Sequence, residues 1–179
     1  MRAETKQIER AEAEKKTNRS MQANQFSGRA MDFLRALRAI EKQIDPEIPI
    51  EAAMPRLLLC GHAIELALKS YLLASGVPRE KLKTKYGHRL QEAFSDAKAF
   101  GLPTDPEIEK MIRVLGPPFS ERRMNYPEGG FGFLLPSDML PALERLVEYS
   151  ENFSLRETAK YFGEIMKADG KDWPPAECE

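Results

Sequence analysis

One segment of the chain is apolar around nearly its whole circumference when it is read as a helix. It lies between Pro55 and Ser75, and Gly76 and Pro78 follow it. Glycine just past the last turn and proline shortly afterwards are typical of a helix C-terminus. Because a helix that is apolar on every side has to be covered on most sides, the sequence predicts a central helix that begins near Ile50 or Pro55. Its apolar residues are Leu57, Leu58, Leu59, Ala63, Ile64, Leu66, Ala67, Leu68, Tyr71, Leu72 and Leu73.

The composition favours helices over strands along the rest of the chain as well. Alanine and leucine together supply 38 of the 179 residues, whereas valine, isoleucine and threonine supply 17. Alanine and leucine favour helices, and β-branched residues favour strands. We therefore predict an all-α fold that forms a single domain over residues 21–168. A charged N-terminal extension, 1–20, is expected to be mobile, and a C-terminal tail, 169–179, is expected to be disordered.

Apolar stripes and stop signals predict two further helices, one on each side of the central helix in the sequence. A stripe with alternating steps of four and three residues predicts a first helix from about Gln25 to Ile44. Asp45-Pro46 ends this helix, because proline disfavours a helical residue before it. A third helix is predicted to begin near His88 and to stop at Gly101.

The fourth predicted helix has the strongest start signal in the chain. Asp105 as the N-cap, with Pro106 at the first helical position, is one interpretation of this start. A capping box formed by Thr104 and Glu107 is the other. Gly116-Pro117-Pro118 is predicted to terminate the helix.

A final helical region is predicted from about Ser137 to Lys167. It is either one long helix or two helices joined near Phe153. Ser154 and Glu157 have the spacing of a second capping box, which favours the break. The stretch before it, 116–136, has no clear period but contains four aromatic residues. Loops of that length in a compact domain are commonly functional, and we expect this one to be partly pinned to the bundle.

The net charge of −1 conceals an uneven distribution of charge. Between Arg79 and Arg89 there are five basic residues and one acid, whereas Asp138 to Glu179 contains ten acids and five basic residues. Such asymmetry is typical of proteins that bind polyanions, although runs of charge are also commonly solvated surface. Both interpretations stay open. The basic patch consists of Arg79, Lys81, Lys83, Lys85 and Arg89.

Several classes of protein are not expected from this sequence. The longest apolar run, Leu57 to Cys60, is too short to span a bilayer, and the charged N-terminus lacks a signal peptide's apolar segment. We therefore expect a cytoplasmic protein without a membrane partner. Cys60 and Cys178 cannot form a disulfide framework, and apolar surroundings should keep Cys60 unreactive. Clusters with metal-ligand spacing and phosphate-binding glycine motifs are absent from the sequence, so no metal or cofactor is expected.

Three sets of residues are candidates for chemistry. His62, Glu65 and Lys69 are spaced three and four apart and share one face of the central helix. They form either a structural ion-pair set or the lining of a cleft. Arg56 and His62 are the weak catalytic candidates, since histidine can act as acid or base while arginine stabilises a phosphorane. Their spacing puts them roughly 120° apart around a straight helix, so chance is the alternative explanation.

The third set lies in the irregular stretch before the final helix. Arg122, Arg123 and Tyr126 combine guanidinium groups with an aromatic ring, a combination that binds phosphate and stacks on a base. The alternative is that Tyr126 and the nearby phenylalanines hold the loop against the bundle while the arginines are solvated.

Three short motifs resemble those of the HEPN superfamily. The central helix contains an Ala-x-Glu-x-x-x-Lys pattern, the third opens with Gly-His-x-Leu, and Arg-x-x-Tyr-Pro precedes the final helix. The resemblance covers roughly residues 27–160. The matching positions are Ala63, Glu65 and Lys69; Gly87, His88 and Leu90; and Arg123, Tyr126 and Pro127.

The resemblance implies a small antiparallel bundle of four to five helices, often a homodimer. Members are RNA-cutting toxins, partners in toxin–antitoxin or defence-type systems, or non-catalytic modules that bind nucleotides or RNA. Nuclease members carry arginine and histidine four to six residues apart, usually on a late helix, whereas this chain has that spacing only at Arg56 and His62. The resemblance therefore favours a non-catalytic member.

From these observations we expect a module that binds nucleotide or RNA phosphate. The alternatives are a helical dimerisation or protein-interaction module and a metal-independent ribonuclease. The expected ligand-binding residues are Glu65, Lys69, His88, Arg89, Arg122, Arg123 and Tyr126, together with the basic patch.

Overall fold

The computed structural model describes residues 2–45, 47, 53–122, 136–171 and 173, and this part of the chain is helical without any strand. The predicted all-α class is confirmed. Three long helices form the centre of the bundle: α1 (Arg2–Glu41), α2 (Ala53–Ala74) and α6 (Pro136–Ala168). Three shorter helices complete the described fold: α3 (Arg79–Lys81), α4 (Leu90–Ala99) and α5 (Pro106–Ser120).

Helix α2 is the central helix that the sequence predicts. It packs against α1, α6, α4 and α5, and it buries residues on nearly all sides. Its end has the hydrogen bonds of a Schellman motif, in which the Val77 N–H donates to Leu72 and the Gly76 N–H donates to Leu73. Gly76 has a φ of +106°, a conformation that strongly favours glycine.

The apolar character of α2 also has a bearing on the membrane question. By length and composition α2 could cross a membrane. The uninterrupted apolar run Leu57 to Cys60 is too short to indicate this, because polar residues interrupt the apolar ones along the helix. However, 72% of its most apolar window is buried inside the bundle. A core helix has the same composition, because it too is surrounded by apolar side chains.

The predicted start of the first helix at Gln25 is wrong, because α1 begins at Arg2 and passes through the charged extension. Its N-terminal half contains the small buried residues Ala13, Thr17 and Ser20. Arg10 also pairs with Asp169, with 2.7 Å between Nη1 and Oδ1. Small residues allow close helix packing without the large apolar side chains that identify a buried stripe in a sequence.

Helix α1 is antiparallel to both of its long neighbours. Its C-terminal end lies beside the start of α2, where Glu41 pairs with Arg56. The middle of α1 meets α6 in reverse order, as Asn24 donates to Thr158 and Arg38 donates to Glu144. Consequently α2 and α6 run parallel to each other on one side of α1.

Four cations of the basic patch, Arg79, Lys81, Lys83 and Lys85, lie on helical turns, whereas Arg89 immediately precedes α4. Helix α3 continues directly into a π-helical turn, Leu82–Tyr86, whose first and last residues are buried. Next comes α4, whose predicted apolar stripe (Leu90, Ala93, Phe94 and Ala97) is buried as expected.

The start of α5 confirms the interpretation in which Asp105 is the N-cap. Its carboxylate accepts hydrogen bonds from the backbone of Glu107 and Ile108, each at 2.9 Å. The predicted end at Gly116-Pro117-Pro118 is wrong, since α5 continues to Ser120. Each proline lacks the N–H that would donate to the carbonyl four residues earlier, and the buried ring of Phe119 holds this last turn against the core in spite of that loss.

Helix α6 is one continuous helix, so the break favoured by the capping-box spacing does not occur. The Ser154 hydroxyl is fully buried and donates to the carbonyl of Glu151 in the preceding turn. It also lies 3.5 Å from the hydroxyl of Ser27 on α1. The predicted tail lies mostly outside the described residues, but Trp173 packs edge-on against Phe162 with ring centroids 4.8 Å apart.

Candidate functional site

The carboxylate of Glu65 is the centre of a polar cluster on α2. Its side chain is 9% exposed, and Lys69 pairs with Oε1 one turn further along the helix. Oε2 lies 3.0 Å from Nδ1 of His88 and 3.8 Å from Nδ1 of His62. The predicted shared face of His62, Glu65 and Lys69 is therefore present, and His88 is brought to it from the segment between the π-helical turn and α4.

Aromatic rings surround the two imidazoles. Phe119 lies edge-on to both His62 and His88, with centroid distances of 5.3 and 5.6 Å. Phe33 of α1 stacks on the other side of His62 at 5.3 Å. The two imidazoles remain 41% and 42% exposed, so solvent can reach both rings, and the hydrogen bond to Glu65 orients that of His88.

Glycine at position 61 makes this arrangement possible. A Cβ atom at Gly61 would lie 2.3 Å from Cδ2 of Phe119, so the ring occupies the space that any other residue would need. The adjacent Ser120 donates a 3.0 Å hydrogen bond to the carbonyl of His88. The last turn of α5 thus fixes both the ring between the histidines and the backbone of one of them.

Arg56 is not brought together with His62. Its side chain is 1% exposed and forms two 2.7 Å hydrogen bonds to the carboxylate of Glu41. This pair joins the end of α1 to the start of α2. The two weak catalytic candidates therefore do not form a pair, because one is a buried structural cation and the other lies half-exposed among aromatic rings.

Two cations of the basic patch have acidic partners. Lys85 pairs with Asp96, which also accepts a 2.7 Å hydrogen bond from the hydroxyl of Tyr86. These two hydrogen bonds, that of Lys85 first, lower the pKa of Asp96. Arg89 donates to the carbonyl of Thr84 and lies 3.5 Å from Glu92.

The other three cations of the patch have a different environment. Arg79, Lys81 and Lys83 are exposed, and within the described ranges none of them has a carboxylate within 4.0 Å. Their helical scaffold is anchored by Leu82 and Tyr86, each 2% exposed. The patch therefore presents uncompensated positive charge from a fixed backbone.

The third predicted set is described only at its first residue. Arg122 is exposed and has a φ of +56°, a left-handed conformation that non-glycine residues seldom adopt. Arg123 and Tyr126 lie outside the described residues. Among the residues that are described, no group of three or more His, Cys, Asp or Glu side chains is placed to hold a metal ion.

Cys60 has the environment that the sequence predicts for it. It is fully buried, and burial, with a smaller effect from the charge of Glu41, raises the pKa of its thiol to about 12. Because the thiolate is the reactive form, Cys60 is a packing residue.

Sequence reasoning missed the residues that complete both sites. Phe119 could be recognised only as one of several aromatics in an irregular stretch, and Asp96 only as a polar residue on a predicted helix. Phe33 belonged to the predicted stripe of the first helix, but spacing along one helix does not show which ring on another helix it meets. Their contacts depend on how the helices pack.

Comparison of this chain with family models, with curated proteins and with solved structures yields no match.

Proposed function

We propose that this chain is a HEPN-like helical bundle that binds nucleotide or RNA phosphate without cleaving it, acting as a homodimer in a toxin–antitoxin or defence-type system. The observation that carries the proposal is the uncompensated charge of Arg79, Lys81 and Lys83. Phosphate groups are the partners that such a cluster binds best through charge alone.

The anchoring of the basic patch favours binding over a merely solvated surface. A solvated run of charge needs no fixed backbone, whereas here buried Leu82 and Tyr86 hold the π-helical turn on the core. π-Helical turns are frequent at functional sites. A ligand that meets cations on a rigid scaffold loses less free energy in ordering them.

The cluster around Glu65 supports the resemblance on which the family part of the proposal rests. Glu65 and Lys69 belong to one quoted motif and His88 belongs to another, and these three side chains are in contact. The spacing on α2 brings Glu65 and Lys69 together, but nothing in the sequence alone requires His88 to meet them.

The direct test is binding of a labelled oligoribonucleotide and of inorganic polyphosphate over a salt series. We expect affinity to fall steeply with salt, and Lys81→Glu and Lys83→Glu each to weaken binding and to reduce the slope by about one. Lys110→Glu, at an exposed position on α5, is the control. Absence of salt-sensitive binding by the unmodified protein would refute the proposal, and light scattering decides whether the protein is a dimer.

A metal-independent ribonuclease is a second candidate, favoured by the geometry of His62 and His88. The carboxylate of Glu65 lies near both rings and is hydrogen-bonded to that of His88, and acid–base cleavage of RNA needs two proton carriers within reach of one phosphate. RNA cleavage in EDTA that is lost in both His62→Ala and His88→Ala would support this function. Absence of cleavage, or cleavage retained in both variants, excludes it for this pair.

A protein-interaction module is the third candidate. Leu155 is 51% exposed on α6 beside the partly buried rings of Tyr149 and Phe153. If Leu155→Glu changes the oligomeric state or abolishes a protein contact while charge reversal in the basic patch does not, this function is favoured.

A further inference from the structure

One groove brings the basic patch together with an exposed aromatic ring. It has a volume of about 610 Å³ and lies between the end of α2, the π-helical turn and the end of α4. Lys81, Lys85 and Phe100 are among the residues that line it. That volume lies within the range of small-molecule sites.

The ring of Phe100 is exposed although its backbone is firmly held. The residue is 50% exposed. Its N–H donates to the carbonyls of Asp96 and Ala97, and its own carbonyl accepts a 3.3 Å hydrogen bond from the hydroxyl of Tyr71. The next residue, Gly101, turns the chain away with a φ of +91°. An apolar ring fixed in this way at a groove edge can act as a stacking surface.

The charge lining the groove suits a single phosphate. Lys85 is paired with Asp96, which leaves Lys81 as the uncompensated charge. A stacking ring and a free cation in one groove are the combination by which proteins bind single-stranded nucleic acid, because every base has an aromatic face and every nucleotide has a phosphate.

We infer that this groove binds one nucleotide unit, with its base stacked on Phe100 and its phosphate at Lys81. The inference rests on the proposed function, to which it adds recognition of the base. The unit comes either from a free nucleotide or from a single strand. The basic patch alone would bind any polyphosphate, whereas the groove requires a base.

The test compares three probes with the full-length protein: a short single-stranded oligoribonucleotide, the same oligomer without bases, and a nucleoside monophosphate. We expect the oligomer with bases to bind more tightly than the abasic one. Phe100→Ala should weaken binding of the first by about five- to 150-fold, the effect of losing one stacked base, and should leave the abasic oligomer unaffected. Binding of the monophosphate that depends on Phe100 identifies a free nucleotide as a sufficient ligand, and binding of the oligomer alone identifies a strand.

Two variants guard against indirect effects. Phe162→Ala removes another partly exposed phenylalanine, on α6, and should leave binding unchanged. Phe100→Trp keeps a stacking ring and should bind like the unmodified protein, with quenching of its fluorescence beyond that of Trp173. Equal binding of the two oligomers by the unmodified protein, or unchanged binding by Phe100→Ala, would overturn the inference while leaving the proposed function intact. Absence of salt-sensitive binding by the unmodified protein would overturn both the inference and the proposed function.

Discussion

The ion pair between Arg56 and Glu41 illustrates how strongly a single buried residue can matter. Both side chains are largely removed from water, and two hydrogen bonds join them. A charge left alone in such a place is costly, although a buried pair as a whole need not stabilise a fold more than apolar residues would.

We therefore predict that Arg56→Met lowers the free energy of unfolding by about 3–5 kcal/mol, because it leaves the carboxylate of Glu41 without its cation. The double variant Arg56→Met/Glu41→Leu should recover much of this loss. Urea denaturation of the four proteins of the cycle measures both effects.

An exposed ion pair on α1, the helix that carries Glu41, provides the control. Arg35 and Asp32 are 3.3 Å apart, and Arg35→Met should change stability by less than about 1 kcal/mol. A double variant as unstable as the single Arg56→Met would show that the arginine acts through packing and not through the charge of Glu41.

At the scale of the helices, two glycines in similar secondary structure predict opposite effects. Gly61 lies in α2 against the ring of Phe119, whereas a Cβ at Gly28 in α1 would meet nothing within 4 Å. Alanine is favoured over glycine inside a helix by about 1 kcal/mol. Gly28→Ala should therefore stabilise the protein, whereas Gly61→Ala should destabilise it by about 1–3 kcal/mol because the core is overpacked.

Thermal unfolding of the two glycine variants checks the sign of each change. In Gly61→Ala the displaced ring should also alter the surroundings of His62 and His88, visible as shifts of their imidazole NMR signals. Gly28→Ala should leave those signals in place. Stabilisation by both substitutions would contradict the packing of Phe119 against α2.

The cap of α5 predicts a dependence of stability on pH. The hydrogen bond from Arg145, followed by that from the Ile108 N–H, lowers the pKa of Asp105 in the folded protein. Because the folded pKa lies below the unfolded value of about 3.9, the carboxylate stabilises the fold at neutral pH. This contribution is lost as pH falls from about 4 through the lower folded value.

Asp105→Ala should accordingly cost about 1 kcal/mol at pH 7, and the cost should shrink as the pH is lowered towards 2. Urea denaturation at several pH values measures this. Thr104→Ala should have little effect at any pH, since the N-cap is Asp105. A larger effect of Thr104→Ala would favour the capping-box interpretation instead.

The sequence was informative about helices wherever one local signal determined the outcome. The start of α5 at Asp105 and the end of α2 at Gly76 follow from the backbone needs of a few neighbouring residues. Pro117 and Ser154 led to wrong predictions of a helix end and of a helix break. Contacts with other helices outweighed the local preference of each residue. Phe119 is buried next to the prolines, and the hydroxyl of Ser154 is buried against α1.

The same distinction applies to the candidate sites when the whole molecule is considered. The pairing of Glu65 with Lys69 follows from their spacing on one helix. The contact of His88 with Glu65 and the presence of Phe100 and Lys81 in one groove depend on how separate helices pack. Charge segregation pointed to the basic patch, but it could not show which of its cations keep their charge uncompensated.

The three long helices also differ in how far they reach. Helix α1 has 40 residues and α2 has 22, or about 60 and 33 Å at 1.5 Å per residue. The end of α2 lies beside the middle of α1, where Ser70 donates to the carbonyl of Ala23. The first part of α1 therefore extends past the end of α2, where Arg10 pairs with Asp169 just beyond α6.

This difference in reach predicts two levels of stability within one molecule. Between Thr5 and Ser20 the described buried side chains are Ala13, Thr17 and Ser20, which are small, and the pair Arg10–Asp169 is too exposed to add much. In hydrogen exchange of the full chain, amides near the start of α1 should exchange through local opening, and those of α2 only through global unfolding. Asp169→Asn should speed exchange at the start of α1 slightly and leave α2 unchanged. If the whole of α1 were as protected as α2, local opening would be contradicted, and a second copy of the chain covering this end of the bundle would account for the protection.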